Sequence, residues 1–194
     1  MRFIILVLGL LISSCSENKI IKNYETSLSV YDKDLIDHFP KLSLSDLISY
    51  DSHYSINGGE ENYNGFHLIT KLSKSKIADI EKMGKIIPFL DSCQHIINFD
   101  PILYSEANIL LLQCKDSVDV TPIPNFSFCI KKYPKDFFKN LNLSILDTNP
   151  GKYLNDEYLT KKDVGLPEKW RHGFSKGIAI NKEEDIGIYW IEIW

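Results

Sequence analysis

The chain lacks the short motifs that announce most enzyme classes. It has no phosphate-cradling or dinucleotide-binding glycine motif and no Gly-x-Ser-x-Gly elbow. None of its five histidines stands in an HExxH or other metal-ligand spacing. No cofactor and no metal is expected. Positive charge is not in excess: 22 Lys and Arg against 26 Asp and Glu leave a net charge of −4. Nucleic-acid binding favours a basic face, so no nucleic-acid partner is expected. Internal repeats and low-complexity segments are missing as well. Long apolar runs are also lacking. The candidate membrane segment, Phe3 to Ile12, falls well short of the roughly 20 apolar residues that span a bilayer.

What that short run does have is its context. Arg2 supplies a positive charge, Phe3 to Ile12 an apolar stretch broken by Gly9, and Ile12-Ser13-Ser14-Cys15 a small-residue end. A charged n-region, an apolar h-region of about 7–15 residues and a small-residue cleavage site describe an export signal rather than a folded element. Ile-Ser-Ser-Cys resembles the lipobox of bacterial lipoproteins, over residues 1–15 only. The resemblance implies removal of residues 1–14 and lipidation (palmitate-type acylation) of Cys15. It also implies a cell-envelope protein tethered through that lipid. Two or more acyl chains hold a protein stably where one does not. Ser16 follows the cysteine, and the resemblance to these lipoproteins then implies the outer membrane in a Gram-negative host.

Residues 16–30 are polar and mixed, and are expected to be a flexible tether behind the lipidated Cys15. The globular part is then residues 31–194, a length that suits one domain. Folding at that size buries roughly 70% of the unfolded surface, so no disulfide staple is required. Cys93, Cys114 and Cys129 remain in an export compartment where a bridge could persist, and the sequence leaves open whether one forms. Cys114 and Cys129 lie in apolar stretches and read as small buried hydrophobes.

Periodicity supplies the elements. Residues 32–50 predict two helical pieces split by Pro40, the second capped by Ser43. Phe66 to Leu72 alternates as a strand, with His67, Ile69 and Lys71 on its second face. Ser73 or Ser75 opens a helix carrying Ile77, Ile80 and Met83, and Gly84 is its expected stop. Asn108 to Lys115 predicts a central strand, Thr121 to Pro124 a stiff connector, Phe126 to Ile130 another strand and Leu143 to Leu146 a short one. Asp147 to Gly151 is turn chemistry. Phe174 to Ile180 and Ile186 to Trp194 form the clearest hairpin. In its second arm Ile186, Ile188, Trp190 and Trp194 share a face interrupted by Glu192, and Tyr189, Ile191 and Ile193 share the other. Two apolar faces predict a strand covered on both sides. The fold class is α+β: a mainly antiparallel sheet with a few short helices and the C-terminal hairpin in the core.

Candidate chemistry is sparse. Asp91, Cys93 and His95 bring together a carboxylate, a thiol and an imidazole. They could furnish a thiol nucleophile or half a zinc site, although ordinary structure is the simpler reading. Glu60-Glu61 and Glu183-Glu184 read as solvated turn charges. Two segments carry residue types suited to partner binding: Tyr54 and Tyr63, near the ends of the long polar stretch 51–64, and Trp170, Arg171 and His172. The expectation is a membrane-tethered, non-enzymatic binding protein whose partner is an envelope or effector protein. An envelope hydrolase or thiol enzyme using Cys93, His95 or His172 stands as the alternative, and a structural envelope component as a third.

Overall fold

The computed structural model describes residues 19–53, 64–89, 95–97, 101–106, 121–156, 159 and 166–194. The fold is α+β. Six antiparallel strands form one sheet in the order β1-β2-β8-β7-β6-β3, and a separate two-stranded pair joins β4 to β5. Along the chain, α1 (residues 19–28) and α2 (Lys33–Ile36) precede β1 (Leu47–His53), β2 (Asn64–Lys71) and α3 (Lys74–Ile80). Next come β3 (Lys85–Pro88), β4 (His95–Ile96), α4 (Pro101–Glu106), β5 (Pro122–Ile123), α5 (Ser127–Ile130) and α6 (Lys135–Lys139). The last three strands are β6 (Leu141–Pro150), β7 (Gly173–Asn181) and β8 (Ile186–Ile193), with a 3-10 turn at Glu168–Trp170 before β7.

The C-terminal hairpin lies inside the sheet, with β8 between β2 and β7. Every residue of β7 and β8 is buried. Its polar turn is built by Asn181, whose Oδ1 accepts from the backbone N–H groups of Glu183 and Glu184 at 3.1 Å each. Asp185 completes the turn in the left-handed region at φ 54°, a conformation that aspartate tolerates. The alternation in β8 then sorts its side chains to two cores. On one face Tyr189, Ile191 and Ile193 pack with Phe66 and Leu68 of β2, and with Tyr24, Leu35 and Ile77 from the helices. On the other, Ile186, Ile188 and Trp190 pack with Phe89, Phe126, Phe138 and Ile69. The result is a sheet between two helical layers.

Several local expectations change. The stretch expected to be tether is helical from residue 19 and packs into the first core. Tyr24, Leu28, Tyr31 and Leu35 recur at helical spacing and are all buried, which the polar residues between them obscure. The expected second helix after Ser43 is a single turn. The Ser43 carbonyl accepts from the N–H groups of Asp46 and Leu47, and the chain then extends as β1. Pairing with β2 from Leu47↔Thr70 to His53↔Gly65 overrides the local helical pattern. Phe126 to Ile130 is not a strand either. The Phe126 carbonyl accepts from Cys129 and Ile130, and a short apolar run fits either periodicity. Pro122 and Ile123 pair in parallel with His95 and Ile96 rather than merely connecting. The turn chemistry at Asp147–Pro150 sits inside β6, where the register shifts between Ile145 and Asp147.

Ser73 caps α3 as expected, its hydroxyl accepting from the Lys76 N–H at 3.2 Å. Gly84 has a different task from the one expected. The helix already ends at Ile80, and a Cβ on Gly84 would lie 2.5 Å from the Ile145 carbonyl oxygen. The glycine lets the chain approach β6. The polar stretch 54–63 connects the paired strands β1 and β2, and those ten positions, like the expected strand at 108–115, lie outside the described residues.

Candidate functional site

A cleft of about 420 Å³ opens between the segment Pro40–Asp46 and the end of β2 where it enters α3. Its walls are fixed by the backbone. The Tyr24 hydroxyl donates to the Pro40 carbonyl at 2.9 Å, and the Lys71 N–H donates to the Asp46 carbonyl at 2.7 Å. The floor is Thr70, Leu72 and Tyr189, all buried. Burial pushes the Tyr189 phenol up to about 12, so its hydroxyl stays protonated at neutral pH. Among the described residues no hydrogen bond engages the Tyr189 or the Thr70 hydroxyl, and neither oxygen is among the fully enclosed polar atoms left without a partner. At the rim stand Lys41, Lys71 and Lys76, all exposed and without a carboxylate partner among the described residues. Neighbouring Lys74, by contrast, is held by Asp185 at 2.7 Å. Asp46 is the single acidic side chain in the lining.

A smaller cleft of about 310 Å³ adjoins Asp37, His38, Asp147 and Lys176. Lys176 projects from β7, its Nζ donating to the Asp34 carbonyl and, at 2.9 Å, to Asp37. That bond holds the Asp37 carboxyl below its usual range. His38 is turned inward, with Nε2 2.9 Å from the Trp190 carbonyl oxygen, and burial pushes its imidazole down to about 4. These groups tie α2 to the sheet.

A third polar group lies wholly in the interior. His67 Nε2 is 3.0 Å from Glu192 Oε1, and neither side chain is exposed. His67 stacks on Phe128 with ring centroids 4.6 Å apart. The pair has no surface from which a substrate could approach it among the described residues.

Comparison with known proteins yields no matching family, no similar curated protein and no similar solved structure.

The residues singled out by sequence fall in separate places. Cys15, Tyr54, Tyr63, Asp91, Cys93 and Cys114 lie outside the described residues. Trp170 is 5% exposed and packs with Ile97 and Trp194, and its carbonyl accepts from Trp194 Nε1 at 2.7 Å. Arg171 is exposed and stands 3.9 Å from Glu168. His172 is half-buried, and its carbonyl accepts from the Gly151 N–H. Of these three neighbours, therefore, Trp170 supports the fold and Arg171 faces solvent. His95 lies on β4, and burial lowers its pKa. Cys129 is a free, buried thiol pushed up by desolvation, the opposite of an activated nucleophile. Among the described residues no group of three His, Cys, Asp or Glu could hold a metal ion.

The cleft residues were missed because they come from separate segments. The one sequence signal is Lys71 at the end of the strand, followed by Lys74 and Lys76.

Proposed function

We propose that this is a lipid-anchored binding protein of the bacterial envelope, tethered through Cys15 and engaging its ligand or partner at the cleft beside α3. The N-terminal pattern through Cys15 supports the tether. The observation that carries binding is an open cleft whose lining brings Lys41, Lys71 and Lys76, none with a carboxylate partner among the described residues, together with the buried residues Thr70 and Tyr189. Such a cleft presents polar groups ready to meet an external molecule, on walls already held in place. The closed His67–Glu192 pair and the desolvated Cys129 thiol offer no comparable access.

Metabolic labelling with radioactive palmitate tests the tether. The full chain expressed in a bacterial host is expected to incorporate label and to partition into detergent, and Cys15→Ala to do neither. An unlabelled wild-type chain would remove the anchor from the proposal. Cross-linking in intact cells followed by purification tests the binding role. A stoichiometric envelope partner, lost when Lys41, Lys71 and Lys76 are all changed to glutamine, is the expected result.

A further inference from the structure

We infer that the cleft binds an organic anion with an apolar segment, the chemistry of a carboxylate- or phosphate-headed amphiphile. The inference rests on the binding reading above and assigns the ligand class. Three features converge on it. The rim carries Lys41, Lys71 and Lys76 against the one acid Asp46, in a chain whose net charge is −4. Lysine is a compact point charge on a flexible stem and suits an anionic oxygen without demanding one geometry. Tyr189 and Thr70 also line the cleft, residues 1% and 4% exposed whose hydroxyls have no hydrogen-bond partner among the described residues. A hydroxyl that reaches the cleft can donate to a ligand oxygen. Pro40, Leu42 and Leu72 give the same cleft apolar walls.

The alternatives fit less well. A bare inorganic anion would satisfy the lysines but leave the apolar walls in water. A neutral apolar molecule would cover the walls while desolvating ammonium groups that gain nothing in return. The volume of about 420 Å³ lies in the range of small-molecule sites and holds a head with a short chain.

The test uses the full lipidated chain in phosphatidylcholine nanodiscs, titrated calorimetrically at low ionic strength with empty nanodiscs as the blank. The probes are hexanoate, hexyl phosphate, inorganic phosphate and hexanol, all weakly partitioning. Saturable binding of hexanoate, hexyl phosphate or both is expected, with inorganic phosphate and hexanol weaker by at least about tenfold. Preference between the two heads distinguishes a carboxylate ligand from a phosphate ester. Exposed-site substitution Lys41→Gln/Lys71→Gln/Lys76→Gln is expected to weaken binding by at least about tenfold, given the modest worth of each exposed charge. Tyr189→Phe, which keeps the ring, is expected to weaken it about fivefold, one hydrogen bond's worth. Parental melting of both variants shows that the fold is intact. Hexanol binding as tightly as hexanoate, or parental affinity in the triple-lysine variant, overturns the inference. Capture of an envelope partner that survives such a result would leave the binding role standing with a different ligand. Loss of that capture as well would remove both.

Discussion

His67 Nε2 lies 3.0 Å from Glu192 Oε1 in the middle of the sheet, and neither side chain has exposed surface. The two belong to adjacent strands, where His67 pairs with Trp190 and Gly65 with Glu192, so the contact is diagonal across the β2–β8 ladder. Removing one member of a buried polar pair weakens what offsets the desolvation of the other, which costs roughly 1–3 kcal/mol. His67→Leu and Glu192→Leu are each expected to lose that much in urea unfolding. The double variant is expected to recover part of the loss, because replacing both polar groups by apolar ones removes their desolvation together with their contact. Strict additivity of the two single losses would show that the pair is not coupled.

Half of that pair was visible in the sequence. Glu192 interrupts an apolar face of β8, and such an interruption in a strand covered on both sides asks for a buried partner. The partner's identity was not visible, since only the β2–β8 register puts His67 beside it. The same contrast holds elsewhere. The hairpin β7–β8, the strand β2 and the Ser73 cap are local patterns, and each was readable. The helix α1 was not, because Tyr24 and Leu28 sit among lysines, asparagines and glutamate, and only contact with Phe66 and Tyr50 shows their worth. Nor was β1, whose extended form depends on pairing. The cleft joins Lys41, Lys71, Lys76 and Tyr189 from a loop, a strand end, a helix and a central strand, a juxtaposition that no spacing rule encodes.

Acid should loosen the contact between α2 and the sheet. His38 is buried against Phe39 and Tyr189, and its Nε2 meets the Trp190 carbonyl as a neutral donor. Its pKa falls from 6.5 to about 4 on folding, chiefly by desolvation. Between those values the unfolded chain binds more protons than the native one, so stability rises with pH across that window. The full contribution is present above pH 6.5 and falls away as pH drops toward about 4. A shift of that size corresponds to as much as about 3 kcal/mol. Asp37, held low by Lys176, loses its own contribution further into acid, in the same direction. Melting temperature is expected to drop steadily from pH 7 to pH 4.5. His38→Gln, which keeps an N–H donor without titrating, should flatten that slope, and an unchanged slope would remove His38 as its source.

Gly177 tests how tightly the second face is packed. An added Cβ would meet the Ser144 carbonyl oxygen at 2.4 Å and the Trp190 ring at 2.5 Å. Neither has room to yield, since Ser144 lies on the paired strand β6 and Trp190 is fully buried, with Nε1 donating to Ser175. Overpacking of this kind typically costs about 1–3 kcal/mol. Gly177→Ala is expected to reach at least that range in chemical unfolding and to alter the near-ultraviolet circular dichroism of the tryptophans. A variant as stable as the parent would mean that the sheet relaxes around this position.

The strongest expectation concerns β8. Tyr189, Trp190, Ile191, Ile193 and Trp194 are each at most 1% exposed, and they feed both cores at once. Trp194 is further fixed by its indole N–H to the Trp170 carbonyl, and by backbone exchange with Gly173. Burying each such side chain contributes about 1.5–3 kcal/mol, and aromatic contacts add to that. The sum exceeds the ~5–15 kcal/mol net stability of a typical domain. Removing residues 189–194 also strips β2 and β7 of pairing along the middle of the sheet. The deletion is therefore expected to abolish cooperative unfolding and near-ultraviolet signal. Removing residues 19–28 takes only Tyr24 and Leu28 from the buried set and breaks no strand pair. That chain is expected to melt cooperatively at a lower temperature than the parent. The comparison ranks the two ends by the layers they touch: α1 covers one face of the sheet, whereas β8 is shared by both. If the β8 deletion melted cooperatively near the parent temperature, the sheet would have a centre other than β8.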